Sequence, residues 1–204
     1  MTALEVAEWR RRVFELYREV RASTDLAAAH NAWRRGRDDL FAHHPSTPLL
    51  PHGLAEFDGL PVRPYDPDWR FEVALTAAAP RRMAVETGTD GTVPFELIGI
   101  AEIPGVGSLD AWRLASYGGG LFIPVKDAMA GTPGGTYGGG RYLLDTVKGA
   151  DLGAGKAPES LVLDFNFAYN PSCAYDPRWA CPLAQPGNTV GAQIPVGEMY
   201  SGQH

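Results

Sequence analysis

The sequence predicts a mainly β protein of the α+β class, an antiparallel β-sandwich or barrel with one or two N-terminal amphipathic helices packed on it. Three observations lead there. Apolar residues recur at helical spacing only within residues 1–44. From about residue 70 the period changes to alternation. The 24 glycines and 17 prolines in 204 residues then cut the chain into short segments joined by turns. The expected organisation is a single domain over residues 1–204, with a helical segment at 1–44 and a β-rich body at 60–204.

In the first helix Trp9, Val13, Leu16, Tyr17 and Val20 share one face, and Glu8 can pair with Arg12 four residues on. Ser23, Thr24 or Asp25 supplies an N-cap for a second helix carrying Leu26, Trp33, Leu40 and Phe41 into "HHPSTP", where two prolines stop it. Gly36 argues against its continuity. At the first strand Phe71, Val73 and Leu75 alternate with Arg70, Glu72 and Thr76. Further strands are expected over 82–87, 93–101, 109–115, 120–126, 140–146, 160–167 and 190–197, with turns at "GTDGT", "GVGS", "YGGG" and "GTPGGTYGGG". The pair "YDPDW" (65–69) and "YDPRW" (175–179) reads as two similar turns with aromatic lids, because Asp before Pro favours turn initiation.

A formal charge of −6 offers no long-range attraction to phosphate backbones or anionic lipid, which argues against nucleic-acid and membrane partners. No apolar run approaches the ~18 residues of a membrane span. The N-terminus alternates charge with apolar residues, unlike a signal peptide, so a cytoplasmic setting is expected. A homo-oligomer is left open.

Several motifs fail on inspection. "GADLGAGKAP" has Ala150 where a phosphate loop needs its first glycine and Ala157 where Ser or Thr would hold magnesium. His43 and His44 are adjacent, so on an extended chain they point apart, and His52 brings no second cluster near them. Cys173 and Cys181 are separated by seven residues, wider than the tight pairs of zinc knuckles. Structural thiols, a metal pair, a nucleophile and a disulfide all remain open for them. No cofactor is implied, zinc at these cysteines being the one alternative.

Polar residues inside apolar strands are more informative. In "GRYLLDTVKG" alternation places Arg141, Leu143 and Asp145 on one face and Tyr142 and Leu144 on the other. In "LVLDFNFAYN" it places Asp164 with Asn166, opposite Leu163, Phe165 and Phe167. An inward Asp164 needs a cation, for which Arg141 is the candidate; alternatively this face is simply wet.

These residues resemble the domain of unknown function 1684 family of bacteria and archaea. The resemblance runs from "WRRGRDDLFAHHPSTPL" through "YDPDWRF", "GGGRYLLDTVKG" and "LVLDFNFAYNPSCAYDPRWACPLAQPGN" to "IPVGE". The matched positions are Gly140, Arg141 and Tyr142; Asp164, Phe165 and Asn166; Asn170, Pro171, Cys173, Ala174 and Tyr175; Cys181, Pro182 and Leu183; Asn188; and Gly197 with Glu198. Gly187 departs from the family, which often has an acid there. Some longer relatives are exported lipoproteins, whose leader this chain lacks. The resemblance supplies positions rather than chemistry, and implies that Arg141, Asp164, Asn170, Cys173 and Glu198 form one site.

The leading expectation is a small-molecule pocket in the β-domain. Arg141 grips an acidic group, Tyr142 and Tyr175 form aromatic walls, and Asp164, Asn166, Asn170, Asn188 and Glu198 fix hydroxyl or amine groups. A catalytic version makes Glu198 or Asp164 a general base and Cys173 a nucleophile. The alternatives are a metal site at Cys173 and Cys181, or a structural network with the helices as an interaction surface. Whether the protein is an enzyme is left undecided.

Overall fold

Thr2 starts the N-terminal helix α1 (Ala3–Ala22) through a reciprocal capping box with Glu5, satisfying two otherwise orphaned backbone donors. The computed structural model describes residues 1–87, 91–200 and 202. Asp25 caps α2 (Leu26–His43), its carboxylate accepting from Ala28 N at 2.9 Å. Gly36 does not interrupt α2. A Cβ there would lie 2.3 Å from Leu16 Cδ2, so the missing side chain lets α1 and α2 close on each other. Glu8 and Arg12 do not pair along α1; they reach across to His44 and Asp39. A short helix α3 (Pro51–Ala55) follows the prolines.

Seven strands follow: β1 (Arg70–Thr76), β2 (Arg82–Thr87), β3 (Gly91–Ile103), β4 (Gly107–Leu114), β5 (Leu121–Val125), β6 (Arg141–Asp145) and β7 (Ser160–Asp164). They form one antiparallel sheet in the order β6-β5-β4-β3-β1-β7, with β2 paired to β3. The sheet curls into a half-barrel, because the long β3 bends at a register shift between Leu97 and Gly99 and turns from β2 towards β1. A Cβ on Gly99 would stand 2.8 Å from Thr76 O, so only glycine fits this crossing. The free ends nearly meet: Tyr142 of β6 exchanges two backbone hydrogen bonds with Tyr169, just beyond β7.

Two expected strands are corrected. The segment 160–167 is a strand only to Asp164; there the side chain accepts from Asn166 N and winds Phe165–Phe167 into a 3-10 turn. The segment 190–197 forms no strand, because Pro195 lacks a donor and Gly197 takes φ +75°, a conformation that breaks extension. Single bridges flank it, Lys126 with Thr189 before it and Val62 with Glu198 after it. Residues 88–90 of the expected "GTDGT" turn lie outside the described residues.

The helices cover one face of the sheet. Tyr17, Val20, Trp33 and Phe41 pack with Val73, Leu109, Ile123, Leu143, Leu163, Phe165, Phe167 and Ile194. A smaller cluster of Phe95, Trp112, Phe122 and Tyr142 fills the other side. All five residues of β6 are buried, so its polar side chains must find partners inside. No helix among the described residues is long and apolar enough to cross a membrane.

Candidate functional site

The densest polar cluster is built on Glu198, which is 0% exposed. The segment after the sheet delivers it, held by Glu198 N donating to Ala168 O and Met199 N donating to Pro61 O. Arg37 Nη2 donates to Glu198 Oε2 at 2.6 Å, Asn170 N and Nδ2 donate at 3.2 Å to the two carboxylate oxygens, and the Tyr175 hydroxyl donates to Oε1. Burial pushes the Glu198 carboxyl upward, with Arg37 and Asn170 acting against the rise. The Arg37 guanidinium sits 5.1 Å from the Trp33 ring, 5.3 Å from Phe41 and 5.0 Å from Tyr169, an aromatic cage for a desolvated cation.

Among the described residues, five buried polar atoms in this neighbourhood have no hydrogen-bond partner: Tyr17 Oη, His30 Nδ1, Trp33 Nε1, Arg37 Nε and Asn170 Oδ1. They are linked through contacts, with His30 stacked on Trp33 at 5.6 Å and Tyr17 edge-on to Trp33 at 6.3 Å. The Trp33 indole tempers the burial-driven rise of the Tyr17 phenol without reaching hydrogen-bond geometry. Asn170 Oδ1 is the unpaired end of its amide because Nδ2 already serves Glu198 and Met199 O.

Arg141 meets Glu198 only through the main chain. Its Nη1 donates to Val196 O and Glu198 O, and its Nη2 to Ile194 O and the Asp127 carboxylate, the last two at 3.1 Å. Burial lowers its pKa to about 10, with Asp127 opposing the shift. The expected partner, Asp164, is elsewhere. It accepts from Asn166 N at 3.0 Å and Nδ2 at 2.8 Å and from Tyr65 Oη at 3.3 Å, with Arg70 as its nearest cation at 4.0 Å. Desolvation pushes its carboxyl up to about 6 despite these contacts. Asn166 also exchanges hydrogen bonds with the Asp66 backbone, both at 2.8 Å, fastening the "YDPDW" turn to the end of β7.

Asn188 and Tyr142 are likewise occupied by the fold. Asn188 accepts from Trp112 Nε1 at 3.0 Å and donates to Asp110 O and Pro124 O at 2.9 Å. Tyr142 donates to Pro182 O at 2.7 Å, with its ring edge-on to Phe122. A Cβ on Gly187 would fall 2.0 Å from Asp110 Oδ2, so an acid at this position cannot coexist with Asp110 as placed.

The two cysteines are free and half-buried. Among the described residues no group of three or more His, Cys, Asp or Glu gathers as metal ligands. His43 turns to Asp39 at 3.0 Å while His44 turns to Glu8 and accepts from Ser46 N, so the adjacent pair does point apart. A groove of about 480 Å³ lies on the helical side, lined by Leu4, Glu8, Arg11, Arg12, His43 and His44, away from the Glu198 cluster.

A sequence model of a protein family, described as protein of unknown function (DUF1684), matches residues 55–199. The chain belongs to the DUF1684 family. One similar solved structure is the solution NMR structure of an uncharacterized protein of Haloarcula marismortui, 33% identical, covering 82% of this chain and 90% of that one, with a TM-score of 0.58. No curated protein matches. The DUF1684 match begins at residue 55, after α2, so Arg37, which neutralises Glu198, lies outside it.

The five positions that the resemblance grouped therefore fall into three places: Arg141 and Asn170 at Glu198, Asp164 with Asn166 and Tyr65, and Cys173 beside Tyr137. Arg37, Asp127 and His30 were missed. Arg37 left a signal, since it stands midway between Trp33 and Phe41 at spacings of four on the apolar face of α2. His30 shares that face, with Nε2 2.9 Å from Asn166 O.

Proposed function

We propose that this DUF1684 domain binds a small, neutral, hydroxyl- or amide-bearing molecule at the Glu198 cluster. The carrying observation is the group of unpartnered polar atoms around Arg37 and Asn170. Each such atom left bare costs about 1–3 kcal/mol, so five together would rival the ~5–15 kcal/mol by which a whole domain is stable. Arg37 Nε is an unpaired donor and Asn170 Oδ1 an unpaired acceptor, on two residues that both bond the Glu198 carboxylate, and such a pair selects a group that both accepts and donates, as a hydroxyl or carboxamide does.

The expected acidic ligand is less well supported than a neutral one. Arg37 is balanced by Glu198 and Arg141 by Asp127, so the buried charges already cancel. Tyr175 is partly exposed, and its hydroxyl occupies Glu198 Oε1, where a ligand hydroxyl would bind. Removing that hydroxyl in Tyr175→Phe should strengthen binding of a small polyol or amide, and Glu198→Gln should weaken it. Equal binding by both variants and the parent protein would count against the site.

A second reading is favoured by the four contacts that Arg141 makes to the chain's own groups. In it the network is a clasp that holds residues 194–198 on the sheet, and the helices serve as an interaction surface. Arg141→Lys should then lower the melting temperature with no small molecule able to restore it.

A further inference from the structure

Closure of the half-barrel joins β6 to the chain beyond β7 through Tyr142 and Tyr169 but leaves β2 at an open edge. Among the described residues β2 pairs with β3 alone, in a register that sets Arg82 opposite Glu96, Ala84 opposite Pro94 and Glu86 opposite Thr92. Two hydrogen bonds fix which of its backbone groups point outward. Leu97 N donates to Arg81 O at 2.9 Å, and the same register continued sets these two residues opposite each other, so the odd-numbered residues of β2 bond to β3. Pro94 has no N–H, and its carbonyl accepts at 2.8 Å from Ala115 N, just beyond β4, so Ala84 and Pro94 exchange no bonds. The N–H and C=O groups of Arg82, Ala84 and Glu86 therefore face away from the sheet. A free edge is ordinarily barred by proline, a bulge or uncompensated charge. The strand "RMAVET" has neither proline nor bulge, and its two charges are opposite in sign.

We propose that β2 is a dimer interface, pairing antiparallel with β2 of a second copy of this chain across a two-fold axis at Ala84. This inference is independent of the Glu198 reading. Arg82 and Glu86 stand equally far from Ala84, so the register sets Arg82 opposite Glu86 of the second copy and, by symmetry, Glu86 opposite its Arg82. A charge pattern that reads the same from either copy selects a second copy as the occupant. The Arg82 side chain is 85% exposed and already turned along this row by its ion pair with Glu96 at 3.0 Å, while Glu86 accepts from the Thr92 hydroxyl. On the opposite face Met83 comes against Val85 of the second copy. Both residues rest on the Phe95, Trp112, Phe122 and Tyr142 cluster, so that apolar layer continues across the axis. One strand pair with one apolar row is a small interface, and the dimer is accordingly reversible, its population following protein concentration.

The test is sedimentation equilibrium of the full chain over a wide range of concentrations, for the parent protein, Arg82→Glu, Glu86→Arg and an equimolar mixture of these two variants, each first shown native by near-ultraviolet circular dichroism. The parent should pass from monomer to dimer. Each single variant sets like charges opposite at two symmetry-related places and should dissociate about tenfold more readily. The mixture should recover parent-like association as heterodimers, because each variant carries the charges the other has lost. Ala84→Pro should abolish the dimer while keeping the bonds to β3, since it removes an outward N–H. A parent protein monomeric at every concentration, single variants or Ala84→Pro that associate as the parent does, or a mixture no more dimeric than its components would each overturn the proposal.

Discussion

Replacing Arg37 by Met keeps much of the side-chain volume but strands the Glu198 carboxylate in a site that is 0% exposed. Removing one partner of a buried pair costs about 3–5 kcal/mol, mainly because the other charge is left uncompensated. At 204 residues this corresponds to a fall in melting temperature of about 6–20 °C. Part of the loss should disappear as the pH is lowered, because a carboxyl already pushed up by burial escapes its charge by taking a proton. Glu198→Gln in the Arg37→Met background should recover much of the stability, since the amide can still meet Asn170 and Tyr175 without a charge. Urea unfolding of the parent, both single variants and the double variant gives the coupling energy directly. A loss below about 1 kcal/mol for Arg37→Met, or strictly additive single effects, would refute the reasoning.

Two further outcomes are expected. Gly36→Ala gains helix propensity worth about 1 kcal/mol but drives a methyl to 2.3 Å from Leu16 Cδ2, so the variant should be destabilised. Adding Leu16→Ala should remove the clash and let the propensity gain appear in the urea midpoint. Asp164 holds its proton up to about 6, against an ordinary value of 3.8, so its contribution favours the fold fully below pH ~4 and is lost as pH rises through 6. That shift corresponds to about 3 kcal/mol at this 2%-exposed side chain, and Asp164→Asn should flatten the stability curve between pH 4 and 7; parallel curves would remove the argument.

The fold was legible where the signal is local. Helical spacing marked α1 and α2, and alternation marked β1 and the strands after it, because the core-facing side of each element is written into its own few residues. Failures came where a cap, a backbone conformation or a distant partner decides the outcome. Asp164 turns the chain at Phe165 by capping it, and Gly197 bends the last segment under the Phe165 and Ala168 carbonyls, neither of which changes the hydrophobic pattern. Site residues were found by type but not by partner. Glu198 and Arg37 are 161 residues apart, and nothing in the "RRGRDD" of α2 distinguishes the inward arginine except its step of four from Trp33 and Phe41. Arg141 was recognised as inward-facing, but its true counter-ion, Asp127, lies in a loop with no periodicity to read.

The central claim is that the Glu198 cluster takes a neutral polar molecule. Backbone-amide NMR during titration of the isotope-labelled protein with a panel of small polyols, carboxamides and carboxylic acids tests it most directly. Saturable shifts centred on Asn170, Tyr175 and Glu198 with the neutral compounds, tighter in Tyr175→Phe and lost in Glu198→Gln, are the predicted result. Saturable shifts there only with the carboxylic acids, or none with any compound in either the parent protein or Tyr175→Phe, would contradict it.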